Sequence, residues 1–552
     1  MSIMPKLALV AICAGVSGLF LPDGALRGAT QPSSQTAPPA NESVNEQADA
    51  AYQQGMRLLG EKRYGEALEQ FQSLERIAPR LPQGPSGQGI ALALMGKPGE
   101  AIEALHKALE IDPSYWVARR ELGIVYWSQG RKEEAHQELR QVASLFPEDS
   151  AVDVILGQYE FEHGNFQQAL DYFGKAPSPV AQDARLSLMK GQSLLETGQK
   201  GEGGQVLQAL AGRPDLTPEQ KFQTAWALGK AELYATAIKL FDSLPPDYPD
   251  HFRRNYGLAL AYFENQQYPD CVRVLKPLAA GGGHPEVFSL LGVAEEKAGD
   301  TQAAYDAFRQ GILRNPNDAQ NYINIATLSC LHLNYELAVQ ILSSGIERIP
   351  NLHELYLSRG IAYTLAAKFD EAQGDFSRSI SMAPGDAGNY VALGVCELER
   401  AHLDEAVQSF QKSVSMGVNE PKPYYFLAEA LIQRGVEPGT SAFEQAKAAL
   451  DKALQLDPTL TYAYMDRAKL ALRENRVESA ISDLEHAQSL DPHSRTTAYM
   501  LAQAYQRHGE KDKADALFAR VKSASDEEAR QFQKDALTQA LVVISQHDHP
   551  GP

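Results

Sequence analysis

A few residue groups in this sequence have types and spacings that chemistry uses. His547, Asp548 and His549 could ligate a metal through imidazole and carboxylate. They stand just before a Pro-Gly-Pro end with no rigid frame around them, so they read as a frayed tail. Gly84, Gly87 and Gly89 mimic part of a dinucleotide-binding turn, where glycines let a pyrophosphate approach the backbone, but no strand pattern precedes them. They read as small residues opening a helix. Cys271, Cys330 and Cys396 lack both a C-x-x-C spacing and a neighbouring His, so free, buried thiols are expected. Acidic pairs such as Glu133/Glu134 and Glu527/Glu528 fall on solvated faces or at helix starts, where helix polarity accounts for them. Phosphate loop, nucleophile elbow and His-Glu-x-x-His patterns do not occur. The expectation is a chain with no catalytic residue, no metal and no cofactor.

The elements that would position any site come from the composition and its periodicity. A chain of 552 residues exceeds what one hydrophobic core fills, so it must split into domains or extend as an array. With 44% hydrophobic and 22% charged residues, the body suits ordered helices. Lys and Arg total 51 against 70 Asp and Glu, a formal net charge of −19 that repels a nucleic-acid backbone. No nucleic-acid partner is expected. Residues 1–24 carry Lys6 and an apolar run, Leu7 to Leu21, too short for a comfortable span, and read as a signal peptide or a short N-terminal anchor. Ile12 before Cys13 fits a lipoprotein site poorly. The resulting expectation is export, periplasmic or extracellular, with a membrane-anchored or cytoplasmic protein as the alternatives. Residues 25–47 are polar and Pro/Ser/Gln-rich and read as a disordered linker.

From Ala48 onward the sequence repeats itself. Pro79, Pro113 and Pro147 recur at an interval of 34 residues, as do Pro316, Pro350 and Pro384, and again Pro458 and Pro492. Twelve residues before each proline stands Ala67, Ala101, Ala135, Ala304, Ala338, Ala372, Ala446 or Ala480. Four residues after each Ala comes Phe71, Leu105, Leu139, Phe308, Leu342, Phe376, Leu450 or Leu484. A small residue recurs upstream as Gly55, Gly89, Gly123, Gly292, Ala326, Gly360 and Ala468. Small side chains let two helices approach, a large one at i+4 fills the gap beside them, and proline stops the second helix. The unit is therefore a helical hairpin. One hairpin cannot bury enough apolar surface to offset its ordering entropy, so each must stack on its neighbours.

This pattern resembles the tetratricopeptide repeat family, with Gly123, Tyr126, Ala135 and Leu139 in one repeat and Gly360, Tyr363, Ala372 and Phe376 in another at the signature places. The resemblance implies an all-α fold: an α-solenoid, a right-handed superhelix of stacked antiparallel helix pairs. Residues 48–176 form an N-terminal array, 177–284 degenerate repeats acting as a joint, and 285–522 a C-terminal array. A capping helix at 523–546 and a tail at 547–552 follow. About six extra residues, including Gly435, Pro438 and Gly439, should loop out between two helices.

The family binds other proteins or peptides in a concave groove lined by first-helix positions. Here those positions hold Arg120, Ile124, Trp127, Ile323, Thr327, Leu357, Ile361, Tyr425, Glu429, Met465, Lys469, Tyr499 and Gln503. The places where family members that clamp C-terminal carboxylates put Lys, Asn and Arg are mostly apolar or neutral here, so a partner segment with apolar anchors fits better than an acidic tail. The function implied is an exported protein–protein interaction scaffold of bacterial type, with possible N-terminal or peripheral membrane association. A non-catalytic recruitment or sensory subunit of an enzyme complex and a cytosolic co-chaperone-like regulator are the alternatives.

Overall fold

A computed structural model describes residues 40–146, 149–282 and 284–522. The signal, the capping helix, the tail with its His-Asp-His triplet, and Pro147 and Gly283 lie outside the described residues. Everything described is helix or short connection, and the helices pack in consecutive pairs, an all-α solenoid. Among the described residues no helix is long and apolar enough to cross a membrane.

The chain divides into two compact units, residues 1–266 and 267–552. In the first unit the pairs are α1 (Ala40–Gly60) with α2 (Tyr64–Ile77), α3 (Gln83–Leu94) with α4 (Pro98–Ile111), α5 (Trp116–Ser128) with α6 (Lys132–Leu145), and α7 (Ser150–Glu162) with α8 (Phe166–Lys175). A short α9 (Pro177–Gln182) follows, then α10 (Ala184–Glu196) with α11 (Lys200–Ala211), α12 (Pro218–Lys230) with α13 (Tyr234–Asp242), and α14 (His251–Glu264). The second unit opens with α15 (Tyr268–Gly281) and continues with α16 (Glu286–Lys297) and α17 (Thr301–Arg314), α18 (Ala319–Leu331) and α19 (Tyr335–Arg348), and α20 (His353–Leu365) and α21 (Phe369–Met382). Then come α22 (Ala387–Glu399) with α23 (Leu403–Val414), α24 (Pro421–Arg434) with α25 (Ser441–Leu456), α26 (Thr461–Arg473) with α27 (Val477–Leu490), and α28 (Arg495–His508) with α29 (Lys511–Lys522).

The sequence pattern maps onto one packing rule. Every second-helix Ala of the pattern, from Ala67 to Ala480, is 0% exposed, and the Phe or Leu one turn on is buried beside it. A Cβ added to Gly55, Gly123, Gly157, Gly360 or Gly394 would stand 2.5–2.7 Å from the Phe or Leu of its partner helix. The glycine is thus the socket for the large side chain, whose burial stabilises by about 2–3 kcal/mol. Within residues 177–284 Gly191 keeps the same device, facing Leu207, while Gly257 on α14 receives Phe241 of the preceding hairpin.

The turn inside each hairpin is equally regular. One residue there adopts the left-handed conformation, glycine at Gly96, Gly130, Gly164, Gly198 and Gly299, but Lys62, Glu232, Leu333, Ala367, Ala401 and Asn475 elsewhere. Between hairpins, Asp112 and Asp457 fold back on their own turns, each Oδ1 accepting from the backbone N–H two residues on at 2.9 and 2.8 Å. Asp149, Asp183, Asp318 and Asp386 cap the following helix instead. The loop expected around Gly435 and Gly439 lies between α24 and α25, with both glycines left-handed.

One boundary differs from the sequence reading. The linker expected to reach residue 47 stops earlier, because α1 begins at Ala40 and Ala48 is already buried. Residues 41–47 are polar enough to read as linker, yet Glu, Gln and Ala also extend a helix cheaply once its apolar end is anchored.

Candidate functional site

The predicted first-helix row separates into three groups. Ile124, Ile323, Leu357, Ile361 and Met465 are buried, none more than 5% exposed. This corrects their assignment to a binding groove: they belong to the core between repeats. Leu357 and Ile361 share a cluster with Val391 and Val395 of the next first helix, and Ile124 shares one with Ile155 and Leu156. Arg120 is corrected for another reason. Its Nε donates to Asp149 Oδ2 at 2.5 Å and its Nη1 to Glu121, and its side chain is 12% exposed. Because Asp149 also caps α7, Arg120 joins two repeats, and its charge is already answered by two carboxylates. Trp127 and Thr327 are half-buried. Trp127 lies against two core clusters, with Lys132 Nζ 5.6 Å from its ring.

The third group lies in the second unit, with Lys469, Tyr499 and Gln503 exposed and Tyr425 and Glu429 half-buried. Tyr425 and Glu429 stand one turn apart on α24, Lys469 stands on α26, and Tyr499 and Gln503 stand one turn apart on α28. Tyr499 is 46% exposed and meets Phe518 edge-on at 5.7 Å. Tyr425 and Glu429 touch solvent while protein surrounds them on most sides, which marks a recessed position.

The recess acts on its ionisable groups. Burial, with negative Asp466 nearby, pushes the Glu429 carboxyl up to about 7, against the pull of Lys469 and a 3.3 Å hydrogen bond from Gln433 Nε2. Burial also raises Asp466, whose Oδ1 accepts from Lys469 Nζ at 2.6 Å. The Tyr425 phenol is raised well above its ordinary value by burial and by the Glu429 carboxyl beside it. Lys422, on the same helix, is lowered by burial. Near neutral pH Glu429 can donate a hydrogen bond when protonated and meet a cation when ionised, and the tyrosines offer aromatic faces for stacking.

Sequence reasoning missed Asp466, Tyr462 and Lys422. Asp466 follows Met465, the residue assigned to the groove, and Asp466 and Tyr462 both lie close enough to Tyr425 to help raise its phenol. Their signal was the i, i+4 spacing of Tyr462 and Asp466, the same as that of Tyr425 and Glu429. The three cysteines are free and buried, and burial pushes the Cys271 and Cys330 thiols up to about 12, so neither is a ready nucleophile.

The sequence profile of the family described as tetratricopeptide repeat matches residues 92–158 and 471–536. A search of curated proteins finds no match. Among solved structures, the APC/C hetero-tetramer Cut9–Hcn1 is similar at 13% identity, covering 84% of this chain and 98% of that one, with a TM-score of 0.37. Yeast Tom70 is similar at 17% identity, covering 91% and 97%, with a TM-score of 0.35. PilF of Pseudomonas aeruginosa is similar at 21% identity, covering 38% and 96%, with a TM-score of 0.32.

Proposed function

Because this chain is a tetratricopeptide-repeat protein, we propose that it is a protein-binding scaffold that holds a partner segment along the first helices of its second unit. The observation that carries this reading is the set of solvent-reaching side chains Tyr425, Glu429, Lys469, Tyr499 and Gln503 on successive first helices. Helices whose remaining inward positions are committed to core leave Lys469, Tyr499 and Gln503 exposed and Tyr425 and Glu429 half-buried. Tyrosines beside charged groups are the chemistry that binding hot spots favour. The role is binding without catalysis, on a concave face.

The test is a photo-crosslinking amino acid placed at Gln503 or Lys469, with the exposed second-helix position Ser377 as control. The same partner should be captured from the first two sites and not from the third. Equal capture from all three, or capture from Ser377 alone, would overturn the assignment. We further propose, from the apolar run Leu7 to Leu21, that the protein is exported and held in or beyond the envelope of a bacterial cell. Mass spectrometry of the mature N-terminus checks this, and an intact Met1 on soluble cytosolic protein would refute it.

A further inference from the structure

The first unit contains a cleft that partner binding along the first helices of the second unit does not use. It has a volume of about 500 Å³ and is lined by α6, the end of α7, and α8. At its centre three rings form a column: His136 stacks on Tyr159 at 4.0 Å and 8°, and Tyr159 on His163 at 4.0 Å and 28°. His136 Nε2 lies 3.2 Å from Glu160 Oε1, and Asn165 Nδ2 donates to Glu160 Oε2 at 2.7 Å, so both oxygens of this buried carboxylate are taken. His163 Nδ1 lies 2.8 Å from the Tyr159 carbonyl, which can only accept. The proton is therefore on Nδ1, and Nε2 of the neutral ring is an acceptor.

Two cations also face this cleft. Neither Arg140 nor Lys175 has a carboxylate within ion-pair distance among the described residues, whereas Arg119, Arg120, Arg131, Lys132 and Arg185 nearby all do. Lys175 Nζ instead stands 5.0 Å from the centre of the Tyr172 ring. Asp171 also lines the cleft and opposes an anion, with Oδ1 accepting from Gln167 Nε2 at 3.1 Å. Below the surface Asp153 is 1% exposed with Oδ2 unpartnered, and Lys175 is a source of positive potential there.

We propose that this cleft is a receptor for a phosphate group, held between the Arg140 guanidinium and the Lys175 ammonium. A doubly charged oxyanion answers both cations at once, where a carboxylate would leave one unanswered, and the guanidinium fork matches phosphate geometry. The chain's net charge of −19 does not forbid this, because charges beyond about 8–10 Å are largely screened at physiological ionic strength.

The test is calorimetric titration of the full chain with inorganic phosphate, O-phosphoserine and acetate at matched ionic strength. Saturable binding of phosphate is expected, with acetate about tenfold weaker or worse. Arg140→Gln and Lys175→Gln should each weaken binding about tenfold, while Asp171→Asn should strengthen it. Arg140, Lys175 and Asp171 are exposed, so these variants keep the fold, as circular dichroism would verify. Tighter binding of O-phosphoserine assigns the site to a phosphorylated side chain, and tighter binding of inorganic phosphate assigns it to the free ion. No saturable binding, phosphate no tighter than acetate, or affinity unmoved by Arg140→Gln and Lys175→Gln would overturn the proposal.

Discussion

Adding one methyl group at Gly360 should loosen the hairpin of α20 and α21, and shortening its neighbour should restore it. A Cβ there would stand 2.5 Å from Phe376 Cε1, 2.8 Å from Cδ1 and 3.0 Å from Cζ, where ordinary contact begins at 3.4 Å. Phe376 is 0% exposed and cannot step aside without disturbing the core around Ala372, Val391 and Val395. Overpacking of this kind costs about 1–3 kcal/mol, and the better helix propensity of Ala returns about 1 kcal/mol. With a contact as short as 2.5 Å the overpacking cost falls at about 2–3 kcal/mol, so Gly360→Ala should lose about 1–2 kcal/mol locally. The chain itself suggests the remedy: Ala326 shares a core cluster with Leu342, and Ala468 with Leu484, so this packing accepts an Ala opposite a Leu. Phe376→Leu combined with Gly360→Ala should recover at least about 1 kcal/mol relative to the sum of the single changes. Hydrogen–deuterium exchange on peptides spanning α20 and α21 reads the local opening, and the loss corresponds to exchange roughly tenfold faster. Unchanged or slower exchange in Gly360→Ala, or strict additivity in the double variant, would refute the socket argument.

Leu333 holds φ 59° while 43% exposed, so Leu333→Gly should stabilise its hairpin by about 0.5–1 kcal/mol, seen as a higher melting temperature. Glu429 is protonated more readily in the folded chain than at the ordinary carboxylate value of about 4.3, so its contribution is fully present below that value and lost as pH rises to about 7. Glu429→Gln should accordingly leave urea stability unchanged near pH 4 and raise it by about 1–3 kcal/mol at pH 8. Arg120→Ala strands Asp149 and Glu121 in a half-closed site and should cost about 3 kcal/mol in urea unfolding, without lowering crosslinking from Gln503 while the chain remains folded.

Much of the fold was legible because a repeat writes its packing rule many times. The Gly, Ala and Phe or Leu positions are each visible as spacing, and the socket geometry gives that spacing its cause. The left-handed turn was equally periodic, at Gly96, Gly130, Gly164 and Gly198. Its recognition was blurred where Leu333, Ala367 or Ala401 takes the same φ, because neighbouring helices force a conformation that these residues disfavour alone. The start of α1 was not legible, since polar residues before an anchored helix look the same whether or not the ladder continues through them.

The binding row was legible only in outline. First-helix position selects Ile361, Leu357 and Tyr425 alike, but burial depends on the side chain that the next repeat places opposite, and that is not a property of local sequence. Likewise Arg359 and Arg467 each form two hydrogen bonds, of 2.7–2.9 Å, to Asp375 and Asp483 on their partner helices, pairings that charge patterning along one helix does not reveal. Sequence by itself determined the helical hairpin, its repeat and the residues that seal each pair, because those contacts lie at fixed short separations along the chain. Only tertiary structure decided which first-helix side chains stay open, that Glu429 titrates near neutrality, and that Arg140 and Lys175 share a cleft with a column of rings. Each of these depends on how much protein and which charges surround a group in space, and that environment comes from the packing of successive helices.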